Sequence, residues 1–240
     1  MTAFSHTPTE NEVNTVRYML CDFLPLELVD IIIEDAEYWP CLYSKQDLKI
    51  KVEASKAPGP AFKSAWCYLI SSPIPGIVSQ ESSEPESIAR KVVFEIQSHD
   101  QGWGIHPGPW SWFEAIIIRE QPIVVPPAWL NAALHKPVDL REGIGFDQLF
   151  TGPQPNTTRW HICSNRVAVR TKQDHCIVWT QHAEIGGNKD AKSPKGREGF
   201  GHELLKALQP GDRIAILALA EQWRWENHVY SGSVKIYYSA

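Results

Sequence analysis

The chain has no run approaching the roughly 18 apolar residues that a membrane-spanning helix needs. Its N-terminus, MTAFSHTPTENEVNT, lacks the apolar core of a secretory signal. Its five cysteines (Cys21, Cys41, Cys67, Cys163, Cys176) form no CxxC pair. An odd, scattered set reads as reduced thiols rather than a disulfide framework. These absences together point to a cytoplasmic protein. A basic stripe is missing too: 23 Lys and Arg stand against 28 Asp and Glu, giving a net charge of −5, which argues against a nucleic-acid partner. The most basic stretch, KDAKSPKGRE at 189–198, carries two acids and a Pro/Gly break and reads as a solvated loop.

The motifs of nucleotide and hydrolase chemistry are also missing. There is no GxxxxGK[ST], no strand–GxGxxG–helix unit, no GxSxG and no EF-hand loop. No cofactor is expected. Metal-ligating types occur as His99 and His106, as His161-x-Cys163 and as His175 beside Cys176. None has the helical i,i+4 or knuckle spacing of a zinc site, so no bound metal is expected.

What the chain does have is tryptophan and turn residues. Ten tryptophans include two tight groups, Trp110 with Trp112 and Trp223 with Trp225, and Trp103 lies close to the first. Eighteen prolines and fifteen glycines punctuate the chain every dozen or so residues, which favours many short strands over long helices. Residues 1–15 read as a disordered tail. Residues 16–39 read as one helix, with Asp22 as a cap, Pro25 in the first turn and Leu24, Leu28, Ile31, Ile32 and Ala36 on its apolar stripe. Strands are expected over 47–54, 61–71, 92–96, 112–120, 157–171, 175–181, 213–220 and 233–239, rich in branched and aromatic residues. Short helices are expected over 126–134 and 199–212. The fold class is therefore mainly β: an antiparallel two-sheet sandwich over residues 45–240, jelly-roll-like, with an N-terminal helical segment (16–44) packed on it.

Candidate chemistry centres on KVVFEIQSHDQGWG, residues 91–104. His99 can move protons near neutral pH and Asp100 could orient it, provided the chain turns there, because neighbours on a strand face opposite ways. The alternative is a strand ending in which Asp100 and Gln101 satisfy turn donors and Trp103 packs on the sheet edge. The second centre is aromatic. On an extended chain Trp110 and Trp112 share a face, as do Trp223 and Trp225. Glu114 lies near the first pair, and Asn227 and His228 near the second. Tryptophan walls with a few polar groups describe an organic-ligand pocket; the plainer reading is sandwich core. The pocket reading puts Trp103, Trp110, Trp112, Glu114, Trp223 and Trp225 in substrate binding and His228, Asn227, His99 and Asp100 in catalysis. It expects both tryptophan pairs and His228 to border one cavity.

FEIQSHDQGWG, WSWFEA, LQPGDRIAILALA and ENHVYSGSVKIYY resemble blocks of a group of largely uncharacterised fungal proteins, many joined to ankyrin or F-box-like segments. The likeness runs from about Lys91 to Ala240. The LPLEL opening at Leu24–Leu28 resembles the first helix of an F-box. The resemblance implies a sandwich framework and a protein partner at the N-terminal helix; it implies no particular activity. The chain departs from the group's pattern at IHPGPW (105–110) and WRWENH (223–228), both loops where a private ligand specificity could sit.

Two functions from different classes follow. One is a cofactor-independent cyclase or pericyclase that folds an apolar polyene, polyketide or terpenoid in an aromatic-lined pocket, using shape and one or two hydrogen bonds. The other is a carbohydrate- or protein-binding sandwich whose F-box-like helix recruits a partner, without catalysis. A deep tryptophan-walled cavity would favour the first; a shallow exposed groove would favour the second. The sequence leaves the oligomeric state open.

Overall fold

Alternating burial in sheet A and nearly continuous burial in sheet B build ten strands among the described residues into two antiparallel sheets. The computed structural model describes residues 7–54, 63–76, 89–104, 108–119, 127–140, 159–181 and 201–239. Sheet A contains β1 (Cys41–Gln46), β2 (Ile50–Glu53), β4 (Ala89–Asp100), β8 (Gln173–Thr180) and β10 (Glu226–Tyr238). Sheet B contains β3 (Ser64–Ile70), β5 (Ser111–Ile118), β6 (Val138–Asp139), β7 (Trp160–Ser164) and β9 (Arg213–Ala220). Sheet A runs β1-β10-β4-β8, with β2 continuing β1 along the same edge of β10; sheet B runs β6-β3-β9-β5-β7. With β2 and β6 set aside, the eight long strands numbered along the chain lie in the orders 1-8-3-6 and 2-7-4-5. This is the jelly roll of two interleaved Greek keys.

The main core fills the space between the sheets, with Phe94, Phe113, Tyr68, Ile216 and Val234 at its centre. Trp179 packs edge-on to Phe94 at 4.8 Å. Helix α4 (Gly201–Ala207) adds Leu204 and Leu205 to this core. Gly201 lets it approach: a Cβ there would lie 2.0 Å from the Trp179 ring. A second core, with Trp112, Ile116 and Leu217, lies on the far face of sheet B under α3 (Pro127–His135). The outer face of sheet A carries no such cover among the described residues.

The N-terminal region departs from the sequence reading. Helix α1 (Glu10–Cys21) begins inside the expected tail, held by a capping box in which Thr9 and Glu12 bond each other's backbone. The chain then turns, and α2 (Leu26–Asp35) starts at Pro25. One expected helix is thus a hairpin, and Asp22 ends α1 rather than capping a start. The buried stripe is also a different one. Val13, Val29 and Ile33 pack together with Leu20, Leu24 and Tyr38 around them, while Leu28, Ile31 and Ile32 face outward. The hairpin is tied to the sandwich where β4 begins and β10 ends, by Lys91–Glu37, Arg90–Glu34 at 3.4 Å and the Tyr238 amide to the Pro40 carbonyl at 3.2 Å.

Three further boundaries moved. Strand β1 (Cys41–Gln46) begins inside the segment read as helical (16–44), so the sandwich starts before residue 45. The stretch 157–171 is not one strand: β7 ends at Ser164, and Ala168, with φ 61°, turns the chain back toward β8. Strand β10 starts at Glu226, so Asn227 and His228 belong to a strand and not to a loop. The basic stretch 189–198 lies outside the described residues.

Candidate functional site

The first centre is a row across sheet A. Strands β10 and β4 pair so that Asn227 faces Asp100, His228 faces His99 and Val229 faces Ser98. Because side chains alternate, Ser98, Asp100 and Asn227 turn into the sandwich and His99 and His228 turn out.

The inward half is a closed polar network between the sheets. Asn165 donates to Ser111 Oγ and to Asn227 Oδ1, both at 3.0 Å, and accepts from Ser98 Oγ at 2.6 Å. Asn227 donates to the carbonyls of Trp112 (3.2 Å) and Leu219 (3.1 Å). All four side chains are buried. Asn227 therefore spends its amide on the framework, and the catalytic role expected of it has no open face to act through. Asp100 is likewise buried, and its carboxylate accepts from the amides of Gly102 (2.7 Å), Ala168 (2.7 Å) and Val169 (3.0 Å). It ends β4 and fixes the β7–β8 turn. Gly102 is required there: φ is +77°, and a Cβ would lie 1.8 Å from Arg170 Cγ. Gly104, with φ +137°, lets the Trp225 ring pass where a Cβ would meet it at 2.6 Å. The turn-forming reading of SHDQGWG thus accounts for Asp100 and its glycines, and Gln101 adds a bond to the Trp103 carbonyl at 2.7 Å.

The outward half is a titratable cluster. The His99 and His228 rings stack at 4.6 Å with 19° between planes. His99 Nδ1 donates to the Asp100 carbonyl, which leaves Nε2 of the neutral ring to accept from the Tyr230 hydroxyl at 2.9 Å. His228 Nε2 donates to Glu226 at 2.7 Å, and Lys51 donates to the other oxygen of that carboxylate at 3.0 Å. Burial pushes the Glu226 carboxyl up, but the bonds from Lys51 and His228 outweigh it and hold it below the usual range. Lys172 lies 4.3 Å from the Tyr230 ring centre. Tyr230, Lys51 and Lys172 were not among the expected site residues. The signal for Tyr230 was its place two residues beyond His228, hidden because ENH was read as loop.

The tryptophans do not converge. Trp112 is fully buried on the far face of sheet B, where its indole donates to Glu114 at 2.8 Å and Arg159 closes on the same buried carboxylate at 3.3 Å. Trp110, two residues earlier, stands before the strand starts and packs on the inter-sheet core instead. Trp223 is 56% exposed and stacks with Arg224, whereas Trp225 is 3% exposed and in the core. The shared face needed extended backbone, and Gln222 and Arg224 have φ of 75° and 65°. Trp103 is half exposed and lies 6.5 Å from Trp225. The single cavity bordered by Trp110, Trp112, Trp223, Trp225 and His228 is not formed.

Among the described residues no three His, Cys, Asp or Glu side chains converge to hold a metal; His106 lies outside them. Cys67 is buried and Cys163 partly buried against the core; burial pushes each thiol up to about 12, so neither supplies a nucleophile. No helix among the described residues is long and apolar enough to cross a membrane. No family model matches the chain, and no curated protein matches it.

A second candidate surface is the outside of the α1–α2 hairpin. Twelve large apolar side chains are exposed among the described residues, and seven of them are here: Tyr18, Met19, Phe23, Leu26, Leu28, Ile31 and Ile32. Phe23, at the turn, is 84% exposed. The helices also carry a one-sided charge. Residues 10–37 hold eight acids and one base, Arg17, which bridges to Asp30 at 3.2 Å across the hairpin.

Proposed function

We propose that this chain is a binding module whose N-terminal helical hairpin docks a protein partner. One observation carries the reading: among the described residues, more than half of the exposed large apolar side chains sit on 15 consecutive residues, 18–32. Scattered single apolar residues are normal on a surface, but a contiguous patch marks an interaction site. Val29 and Ile33 are used internally, holding the two helices together, so Leu26, Leu28, Ile31 and Ile32 are left for a partner. The acids around the patch select a partner with apolar anchors flanked by Lys or Arg. The resemblance of the LPLEL opening to an F-box first helix points the same way.

The test is cross-linking in cells, identification of the bound protein, and reconstitution with purified components. Phe23→Asp and Ile31→Asp should each weaken that complex at least tenfold, about 1.4 kcal/mol, with the melting temperature unchanged. A complex indifferent to both changes refutes the reading.

Cofactor-free catalysis is the second reading, supported by the paired acid–base groups His99–Tyr230 and His228–Glu226. These lie on an open sheet face rather than in an aromatic pocket, which places it second. Its test is conversion of polyene or polyketide substrates by the purified protein, with turnover lost in His228→Gln.

A further inference from the structure

The outer face of sheet A holds a trough of about 380 Å³. Its floor is Ser231 and Ser233 on β10, a strand flanked on both sides within the sheet. A bulge between Val229 and Ser231 shifts the alternation of β10, so Tyr230 and Ser231 both reach the outer face. One wall is Tyr43 and Lys45 on β1; the other is Glu95 and Gln97 on β4, with Asp174 on β8 behind them. Small side chains on an inner strand between longer ones on its neighbours make a channel along the strand. On β10 the trough runs along Ser231–Ser233, about 7 Å at the usual strand rise, and Lys235, which pairs with Tyr43 and bonds Glu95, closes one end.

We infer that this trough is a binding site for a neutral, hydroxyl-rich ligand, a short glycan segment lying along β10. The polar groups are plentiful and already held. Ser233 and Lys235 each donate to Glu95 at 3.0 Å, and Gln97 donates to Asp174 at 2.9 Å. The Lys235 bond, ahead of every other influence, keeps the Glu95 carboxyl below its usual range. Carboxylates and an amide fixed in this way can accept and donate to ligand hydroxyls without first being ordered. Tyr43 is 54% exposed and offers a ring face to the C–H side of a sugar, with its hydroxyl at the wet end. Glu95 and Asp174, offset by Lys45 on the wall and by Lys235 bonded to Glu95, leave the trough without the net positive charge that an anion would need. They equally exclude an apolar ligand, which would strip water from two carboxylates and return nothing. The trough lies between the hairpin, at one end of sheet A, and the His99–His228 cluster at the other, so it is separate from the docking surface proposed above.

The test is affinity electrophoresis and calorimetry of the whole chain with four soluble neutral polysaccharides (xyloglucan, a β-1,3-glucan, galactomannan and starch) and with heparin as the anionic probe. The expected result is binding to at least one neutral polymer, weakened tenfold or more by Tyr43→Ala and by Ser231→Trp, which fills the floor. Val178→Ala, an exposed change on the same sheet outside the trough, should leave binding intact. Both trough residues tolerate change without loss of core packing, and unchanged melting temperatures would verify that. Failure to bind any neutral polymer, binding that survives both trough variants, or preference for heparin would each overturn the assignment.

Discussion

Ser98 and Asp100 point into the sandwich, while His99, between them, points out; on the facing strand Asn227 and His228 divide in the same way. The inward three meet fixed partners on sheet B and in the turns beside it: Asn165, Trp112 and Leu219 for Ser98 and Asn227, and the amides of Gly102, Ala168 and Val169 for Asp100. The outward pair stack on each other on the other face of the sheet, His228 partly exposed and His99 buried beneath it, with Tyr230, Glu226 and Lys51 around them. Residue types that look alike to a motif search, an acid or amide beside a histidine, thus serve two purposes one position apart. The inward groups hold the jelly roll closed, because a polar group cut off from water must be paired. His228, which is partly exposed, carries a smaller penalty when altered, since water replaces a lost partner there; His99, buried beneath it, keeps its bond to the Asp100 carbonyl.

That contrast can be broken most sharply at Asn227. Replacing it with Ala removes the donor to two carbonyls and an acceptor for Asn165. The expected loss is on the order of 3 kcal/mol in chemical denaturation. His228→Ala, one residue along, should cost no more than about 0.5 kcal/mol. Equal losses at the two positions would erase the distinction between the faces.

Asp100→Ala should come next, at about 1–3 kcal/mol, because three backbone amides lose their acceptor. Its hydrogen-exchange signature should be local, with faster exchange at Gly102, Ala168 and Val169. A fully stable Asp100→Ala protein would mean that water already reaches these donors.

The smallest effect concerns pH. The Glu226 carboxyl is held below its usual value in the folded chain. Its contribution is therefore present above the ordinary carboxylate range and is lost as pH falls through the depressed value. The group is partly exposed, so the contribution is small and screened by salt. Lys51→Met should move the Glu226 titration upward, read directly by NMR. No movement would remove Lys51 from the outward cluster.

Strand β9, Arg213–Ala220, is where the apolar run RIAILALA places it, α4 lies within the stretch read as helical, and α3 matches its stretch to within one residue. These elements were legible because continuous burial or a 3.6-residue period writes itself into the local sequence. The hairpin was less so. LCDFLPLEL carries apolar residues on every side, and only the turn at 22–25 decides which stripe faces α1. The site was least legible of all. Same-face reasoning for Trp223 and Trp225 assumed extended backbone, and two left-handed residues cancelled it.

The composition and periodicity of this chain, by themselves, determined a sandwich of short strands with helical caps, since a strand's burial is local, alternating every two residues in β8 and nearly continuous in β5 and β9. Which polar groups are framework and which face water depended on register: Asn227 opposite Asp100, a bulge after Val229, and Asn165 arriving from β7. The trough of Tyr43, Gln97, Asp174 and Ser231 likewise gathers four strands that are distant in the chain. Only tertiary pairing could bring them together, because no local pattern encodes which strands become neighbours.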